Sequence, residues 1–173
     1  MYNEFNKVKN IKLKNNCGFI EVGKNKKTLV NCLLGANDIN SYKEELVKIE
    51  KIKKLSMKPD IISDLSIKRR SLTDSLWYRI TKETSFVSAT LPIYGVSKKD
   101  NKIDEKELLD IIIEQMENGV GMITIHPTAN KKIWDLSKDR MIPITSRGGG
   151  MVIKDLIAKN FTEENIYLKI LPD

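Results

Sequence analysis

Thr28-Leu29-Val30-Asn31-Cys32-Leu33-Leu34-Gly35 is a nearly continuous apolar run closed by a glycine. A run with almost no apolar/polar alternation is what a strand covered on both faces requires, as in a parallel sheet flanked by helices. Just downstream, Ser41 followed by Glu44 has the spacing of a capping box, and Leu46, Ile49, Ile52 and Leu55 recur every three or four residues. That spacing predicts a helix ending near Ser56. Pro59 returns the chain to extended form, and Asp60-Ile61-Ile62-Ser63-Asp64-Leu65 is the next strand candidate.

The same cycle then repeats. Helical spacing at Leu72, Leu76 and Ile80 leads into the run Phe86 to Tyr94, where Pro92 must sit near a strand end because it cannot donate to a ladder. Asp104 with Glu107 opens a helix carrying Leu108, Ile112 and Met116 that stops at Gly119. Met122-Ile123-Thr124-Ile125-His126 reads as the fourth strand. A short helical piece around Ile133 and Leu136 follows, then a fifth strand at Ile142-Pro143-Ile144-Thr145-Ser146. Arg147-Gly148-Gly149-Gly150 leads from it into a helix through Leu156 and Ile157.

Upstream of the first strand, residues 11–28 alternate weakly and carry the turn formers Asn15-Asn16 and Gly23-Lys24-Asn25, which predicts a small β-hairpin. The expected organisation is therefore an amino-terminal extension with a hairpin, residues 1–27, and a β/α domain, residues 28–173. Strand and helix alternating every 20 to 35 residues or so argue for βαβ crossovers and a parallel sheet. Periodicity leaves open whether the sheet is doubly wound or a barrel segment. Ligands bind at the carboxyl ends of the strands in either case.

Composition sets the remaining bounds. The chain has 173 residues, 40% hydrophobic and 31% charged, with nine Gly and five Pro. This is an ordinary globular composition and a length sufficient for a real core. The net charge of +7 is scattered, with local clusters only at Lys24-Lys26-Lys27 and Lys68-Arg69-Arg70. A nucleic-acid function, which concentrates basic surface, is not expected. The segment Met1 to Asn10 lacks an apolar core and no later stretch reaches the ~18 apolar residues of a membrane span, so a cytoplasmic protein without membrane contact is expected. Cys17 and Cys32 are too far apart in sequence for a short metal-binding pair and read as two reduced thiols.

The strand ends carry the candidate site. His126, the only histidine, ends an apolar strand immediately before Pro127. It is either a ligand-facing group or a hydrogen-bonded structural histidine. Ser146-Arg147-Gly148-Gly149-Gly150 offers a hydroxyl, a fixed positive charge and backbone N–H groups at a helix start, a combination that suits a phosphate or carboxylate. Tyr94 closes the third strand and could present its ring and hydroxyl to a ligand or pack in the core. Asp64 ends the second strand, where a capping role is favoured.

Taken in order, these strand ends resemble the thiamin pyrimidine synthases, also called phosphomethylpyrimidine synthases. Val30-Asn31-Cys32-Leu33-Leu34-Gly35 is similar to that family's VNANIG strand, and Asp60 to Ser66 to its DTVMDLS segment. Thr90-Leu91-Pro92-Ile93-Tyr94 matches TVPIY, Gly119 to His126 is similar to GVDYFTIH, and Ser146-Arg147-Gly148-Gly149 is SRGG. The likeness runs over residues 28–158 in order and spacing.

The resemblance implies an α/β fold of a particular kind: the amino-terminal part of a (β/α)8 TIM-type barrel, about five parallel β/α units preceded by the hairpin. It implies a radical rearrangement of aminoimidazole ribotide to hydroxymethylpyrimidine phosphate, driven by S-adenosylmethionine and a [4Fe-4S] cluster with a divalent metal. Carried over by position, the substrate contacts are Tyr94, His126, Ser146, Arg147 and Gly148. Leu33 stands where the family has the second Asn of VNANIG, and Ser63 where it has the Met of DTVMDLS, so both are altered contacts. The later DGLRPG and EGPGH segments, the metal-binding histidines and the cysteine cluster have no counterpart. The expectation is a truncated or split relative that binds none of these cofactors alone and needs a homo- or hetero-oligomeric partner to complete the barrel. The alternatives are part of an enzyme making hydroxybenzimidazole from the same ribotide, and a non-catalytic paralogue that binds only a phosphorylated ligand or a partner.

Overall fold

A computed structural model describes residues 9–171 of the chain, so the first eight residues of the expected extension lie outside the described part. In chain order the strands are β1 (Ile11–Asn15), β2 (Gly18–Val22), β3 (Asn31–Leu34), β4 (Ile61–Asp64), β5 (Val87–Thr90), β6 (Lys98–Lys99), β7 (Lys102–Ile103) and β8 (Met122–Ile123). The helices are α1 (Ile39–Ile52), α2 (Leu76–Glu83), α3 (Glu105–Glu117), α4 (Lys131–Ser137), α5 (Arg147–Ala158) and α6 (Ile166–Ile170). The chain forms two compact units. One comprises residues up to Thr90 together with Gln115–Ile123, the other Leu91–Glu114 together with residues from Thr124 onward.

The first unit is an α/β arrangement around a four-stranded parallel sheet of order β3-β4-β5-β8. Every residue of β4 and β5 is buried, the polar Ser63, Asp64, Ser88 and Thr90 included. Leu34 and Ile62 point to one face, where they pack with Tyr42 and Ile49 of α1 and Leu76 and Ile80 of α2. The opposite face carries Ile61, Val87 and Ala89, covered by Leu13 and Ile20 of the antiparallel β1-β2 hairpin. Asn15 makes the hairpin turn as its lettering suggested: its Oδ1 accepts from the Cys17 N–H at 2.9 Å.

The ladders are shorter than the apolar runs. Before β3, the Asp60 carboxylate substitutes for a ladder partner, accepting from the Val30 N–H at 2.9 Å. After β5, Pro92–Tyr94 forms a single 3-10 turn, with Tyr94 N–H donating to the Leu91 carbonyl at 2.9 Å. Proline has no N–H with which to continue a strand. The fourth strand keeps only Met122 and Ile123 of the five residues expected. The fifth, expected at Ile142–Ser146, does not form, so the β/α count of about five is corrected to a sheet of four strands. Pro143 removes a ladder donor there, and Met141 and Ile142 are 99% and 61% exposed, so nothing buries the segment as a strand.

Helix starts differ from expectation at α1 and α2: Leu72 lies in a separate 3-10 turn, and α2 begins at Leu76. At α1 the capping box lies three residues earlier than Ser41 and Glu44 imply. Asp38 is the N-cap and accepts from Asn40 and Ser41, while Ser41 bonds back to the cap backbone. The start and stop of α3 fall where the letters place them. Asp104 Oδ1 accepts from the Glu107 N–H at 2.8 Å. Gly119, at φ +93°, closes the helix with Val120 N–H on the Gln115 carbonyl and its own N–H on Met116.

Asp64 does more than cap its own turn. Its carboxylate accepts from Ser66 N–H at 2.8 Å and from Trp77 N–H at 2.9 Å, so the end of β4 caps the first turn of α2. Burial pushes the Asp64 carboxyl above the ordinary carboxylate range, outweighing these two bonds.

In the second unit, α5 buries Met151, Val152, Ile153 and Leu156. The β6-β7 hairpin turns through Asp100 and Asn101, both at positive φ. It is fastened to α5 by Asp155, a fully buried carboxylate whose Oδ1 accepts from the Ile103 N–H at 2.8 Å. The apolar tail is part-buried: Ile166 and Tyr167 are enclosed, Leu168 and Leu171 exposed.

Candidate functional site

The start of α5 gathers the candidate residues of the second unit. Ser146 is the N-cap, and its Oγ accepts from the Gly149 N–H at 3.2 Å. The same oxygen lies 2.7 Å from His126 Nε2. The hydroxyl has a proton to give and a second lone pair free, so it either donates to a bare Nε2 or accepts from a protonated one, according to the tautomer of the ring. The other ring nitrogen, Nδ1, is buried and has no hydrogen-bond partner among the described residues. Burial holds the His126 pKa below its ordinary value of 6.5, so the ring is neutral at physiological pH.

Gly148 sits against the ring face. A Cβ there would stand 2.3 Å from His126 Cε1 and 2.6 Å from Nδ1, closer than real Cβ atoms approach anything. The first glycine of the run is thus required by a side chain twenty-two positions earlier. Arg147 is exposed, with its guanidinium 5.7 Å from the centre of the Tyr94 ring. The stacking tethers a long cation beside the helix start. First-turn N–H groups have no helical acceptor and carry the positive end of the helix dipole. A neutral imidazole, a fixed cation and a glycine-lined helix start together suit an anion.

The pH dependence follows from the direction of the His126 shift. The unfolded chain binds its imidazole proton near pH 6.5, the folded chain only below that. Stability from this group is fully present above 6.5 and declines as pH falls from there toward the folded-state value. Urea unfolding across that window should show this decline, and His126→Gln should flatten it. A slope unchanged in His126→Gln would mean the ring is not held neutral by the fold.

Of the seven residues singled out as contacts, His126, Ser146 and Gly148 are in direct contact, and Arg147 lies over Tyr94. Leu33 and Ser63 belong to the first unit, where they are direct partners across β3 and β4. Leu33 is 61% exposed, whereas the buried Ser63 hydroxyl is bound to the Asn31 side chain at 2.8 and 3.0 Å. Both cysteines are free, and among the described residues no three His, Cys, Asp or Glu side chains converge on a possible metal position. No helix among them is long and apolar enough to cross a membrane.

Lys26, Lys27 and Arg70, from the two basic clusters, are engaged locally with Glu21, Asp60 and the Asp38 carbonyl. Sequence reasoning passed over Asp155, Asn165 and Tyr167. A buried acid between Val152 and Leu156 on an apolar helix face, and an Asn preceding an apolar helical run, were the available signals.

Residues 7–170 match the Radical SAM ThiC family. The chain belongs to that family. Its relatives include the phosphomethylpyrimidine synthase of Thermodesulfovibrio yellowstonii, 32% identical over 156 residues covering 84% of this chain and 35% of the relative. Phosphomethylpyrimidine synthase 1 of Saccharolobus solfataricus is 31% identical over 161 residues, covering 87% of this chain and 35% of the relative. The chain thus spans about a third of the length of the curated relatives it matches. Within this chain the structure accounts for Ser146 and for Gly148, the first glycine of the run, through His126.

Proposed function

We propose that these residues are the ribotide-binding part of a cytoplasmic phosphomethylpyrimidine synthase of thiamin biosynthesis, unable to run the radical rearrangement without a cluster-bearing portion outside them. The observation that carries this reading is the close packing of His126, Ser146 and Gly148 beside Arg147 at the start of α5. In this reading Ser146, Arg147 and Gly148 hold the anionic part of aminoimidazole ribotide, while His126 and Tyr94 line the same pocket. Leu33 and Ser63 are altered contacts whose polarity differs from that of the family pattern.

A radical SAM enzyme uses a [4Fe-4S] cluster to cleave S-adenosylmethionine, and such a cluster takes three or more thiolates. This chain has two cysteines, one exposed on the hairpin turn and one in β3. The residues present do not fit the cluster, and their contribution is binding.

A barrel segment is the architecture we favour for residues 28–173, with residues 1–27 as a hairpin extension. Strands β3, β4, β5 and β8 add on one side without reversal, whereas a doubly wound sheet reverses its order. Within the first unit the helices α1 and α2 cover one face and the hairpin the other. The open edges of β3 and β8 call for further strands from the rest of a longer polypeptide or from an oligomeric partner.

The test is thermal unfolding with aminoimidazole ribotide. Ligand at a hundredfold its dissociation constant adds about 2.7 kcal/mol to stability and raises the midpoint by several degrees. Arg147→Ala should remove most of that rise while leaving the unliganded midpoint nearly unchanged, since the side chain is exposed. A wild-type midpoint indifferent to millimolar ribotide overturns the proposal.

A further inference from the structure

Asn165 is 3% exposed and spends its whole amide on two segments. Its Nδ2 donates to the carbonyls of His126 and Ala129, both at 2.9 Å, and its Oδ1 accepts from the Tyr167 N–H at 2.9 Å. The two carbonyls bracket His126-Pro127-Thr128-Ala129, a stretch in which Pro127 has no N–H to give. A backbone ladder cannot hold this turn as it would hold a strand, and a side chain from the far end of the unit does so instead. The other contacts of His126 are made by its ring, with Ser146 Oγ at one nitrogen and Gly148 under the face. Two positions beyond Asn165, Tyr167 is fully enclosed, and its phenol pKa is pushed up by burial and then by the neighbouring Tyr94. The segment at the start of α6 therefore stands behind both aromatic members of the candidate site.

We infer that Asn165 is a positioning residue for His126: by clamping the carbonyls at both ends of the His126–Ala129 turn, it fixes the backbone from which the imidazole reaches Ser146 and lies on Gly148. Among the described residues the Ser146 hydroxyl is the one hydrogen-bond partner of the ring nitrogens, so the backbone angle at residue 126 decides whether that bond forms. The consequence for ligand binding rests on the function proposed above. The clamp itself does not.

The single histidine makes the test direct, because one imidazole Hε1 resonance reports this position alone. Following it by NMR against pH in the full chain should give a wild-type midpoint below 6.5. Asn165→Ser keeps an oxygen able to cap α6 through Tyr167 N–H but cannot reach the two carbonyls. It should move the His126 midpoint up toward the ordinary value and shift the ring signal toward that of a solvated histidine. Ile166→Ala, which hollows the same helix and leaves the Asn165 amide in place, should lower the thermal midpoint and leave the His126 titration in place. A His126 titration identical in wild type and Asn165→Ser overturns the inference, as does an equal displacement in Ile166→Ala.

A second readout needs no variant. The Asn165 side-chain amide of the wild-type chain should exchange slowly and its shift should follow the His126 titration with the same midpoint. An amide that exchanges freely, or ignores that titration, overturns the inference as well. Ribotide binding does not enter these measurements. Failure of the ligand to bind would remove the functional reading alone, and a failed titration test would remove the clamp alone.

Discussion

Asp155→Ala is expected to lower folding stability by about 3–5 kcal/mol, the range for breaking a buried charge pair by deleting one partner. Asp155 is fully enclosed, accepts from the Ile103 N–H at 2.8 Å and pairs with Lys159 Nζ at 3.1 Å. The substitution strands a backbone N–H and a largely buried ammonium together. The outer links from Lys159 to Glu163 and from Lys169 to Glu163 and Glu105 are more exposed. They do not replace the lost partner, since exposed pairs contribute about 1 kcal/mol or less. Asp155→Asn keeps an acceptor for Ile103 and should lose less. Urea unfolding of the three proteins decides it: a loss under about 1 kcal/mol for Asp155→Ala would show that Lys159 readily finds solvent.

Gly148→Ala should also be costly, for a different reason. The added methyl would stand 2.3 Å from His126 Cε1, so the ring must swing away and give up its bond to Ser146. Overpacking of this kind costs about 1–3 kcal/mol. The His126 titration should rise toward 6.5 as the ring is exposed, and any ribotide-induced rise in midpoint should vanish with it. Gly150→Ala provides the contrast. Nothing lies within 4 Å of a Cβ at that position, so the change should stabilise α5 by about 0.5–1 kcal/mol through reduced chain entropy. Equal effects at the two positions would refute the packing argument.

Several features were legible before any coordinates because they depend on local letters. The strands at β3, β4 and β5, the hairpin turn at Asn15-Asn16 and the Asp104 and Gly119 ends of α3 follow from residue type at fixed offsets, but β3, expected to be covered on both faces, is an edge strand with Val30 and Leu33 59% and 61% exposed. The failure at Ile142–Ser146 is also physical. Apolar letters mark a strand only if a neighbour supplies both a ladder and a cover, and Ile-Pro-Ile reads the same when it lies in solvent. At the candidate site, the residue types and their strand-end positions were visible, but the pairing of His126 with Ser146 and the glycine beneath the ring were not. Contacts between distant positions are set by how elements pack, and polar groups such as Asp155 and Asn165 disclose their partners only in three dimensions. Asp64 lies between these cases: a cap was foreseeable, yet its reach to Trp77 depends on where α2 returns.

Each compact unit draws on two separate stretches, and this orders events during synthesis. β5 leaves the ribosome well before β8, with Leu91–Glu114 of the other unit translated between them. Until Ile123 has emerged, the nascent sheet presents the unpaired edge of β5 to whatever is nearby, so a translational pause or a gene boundary between the two would leave it seeking a foreign strand.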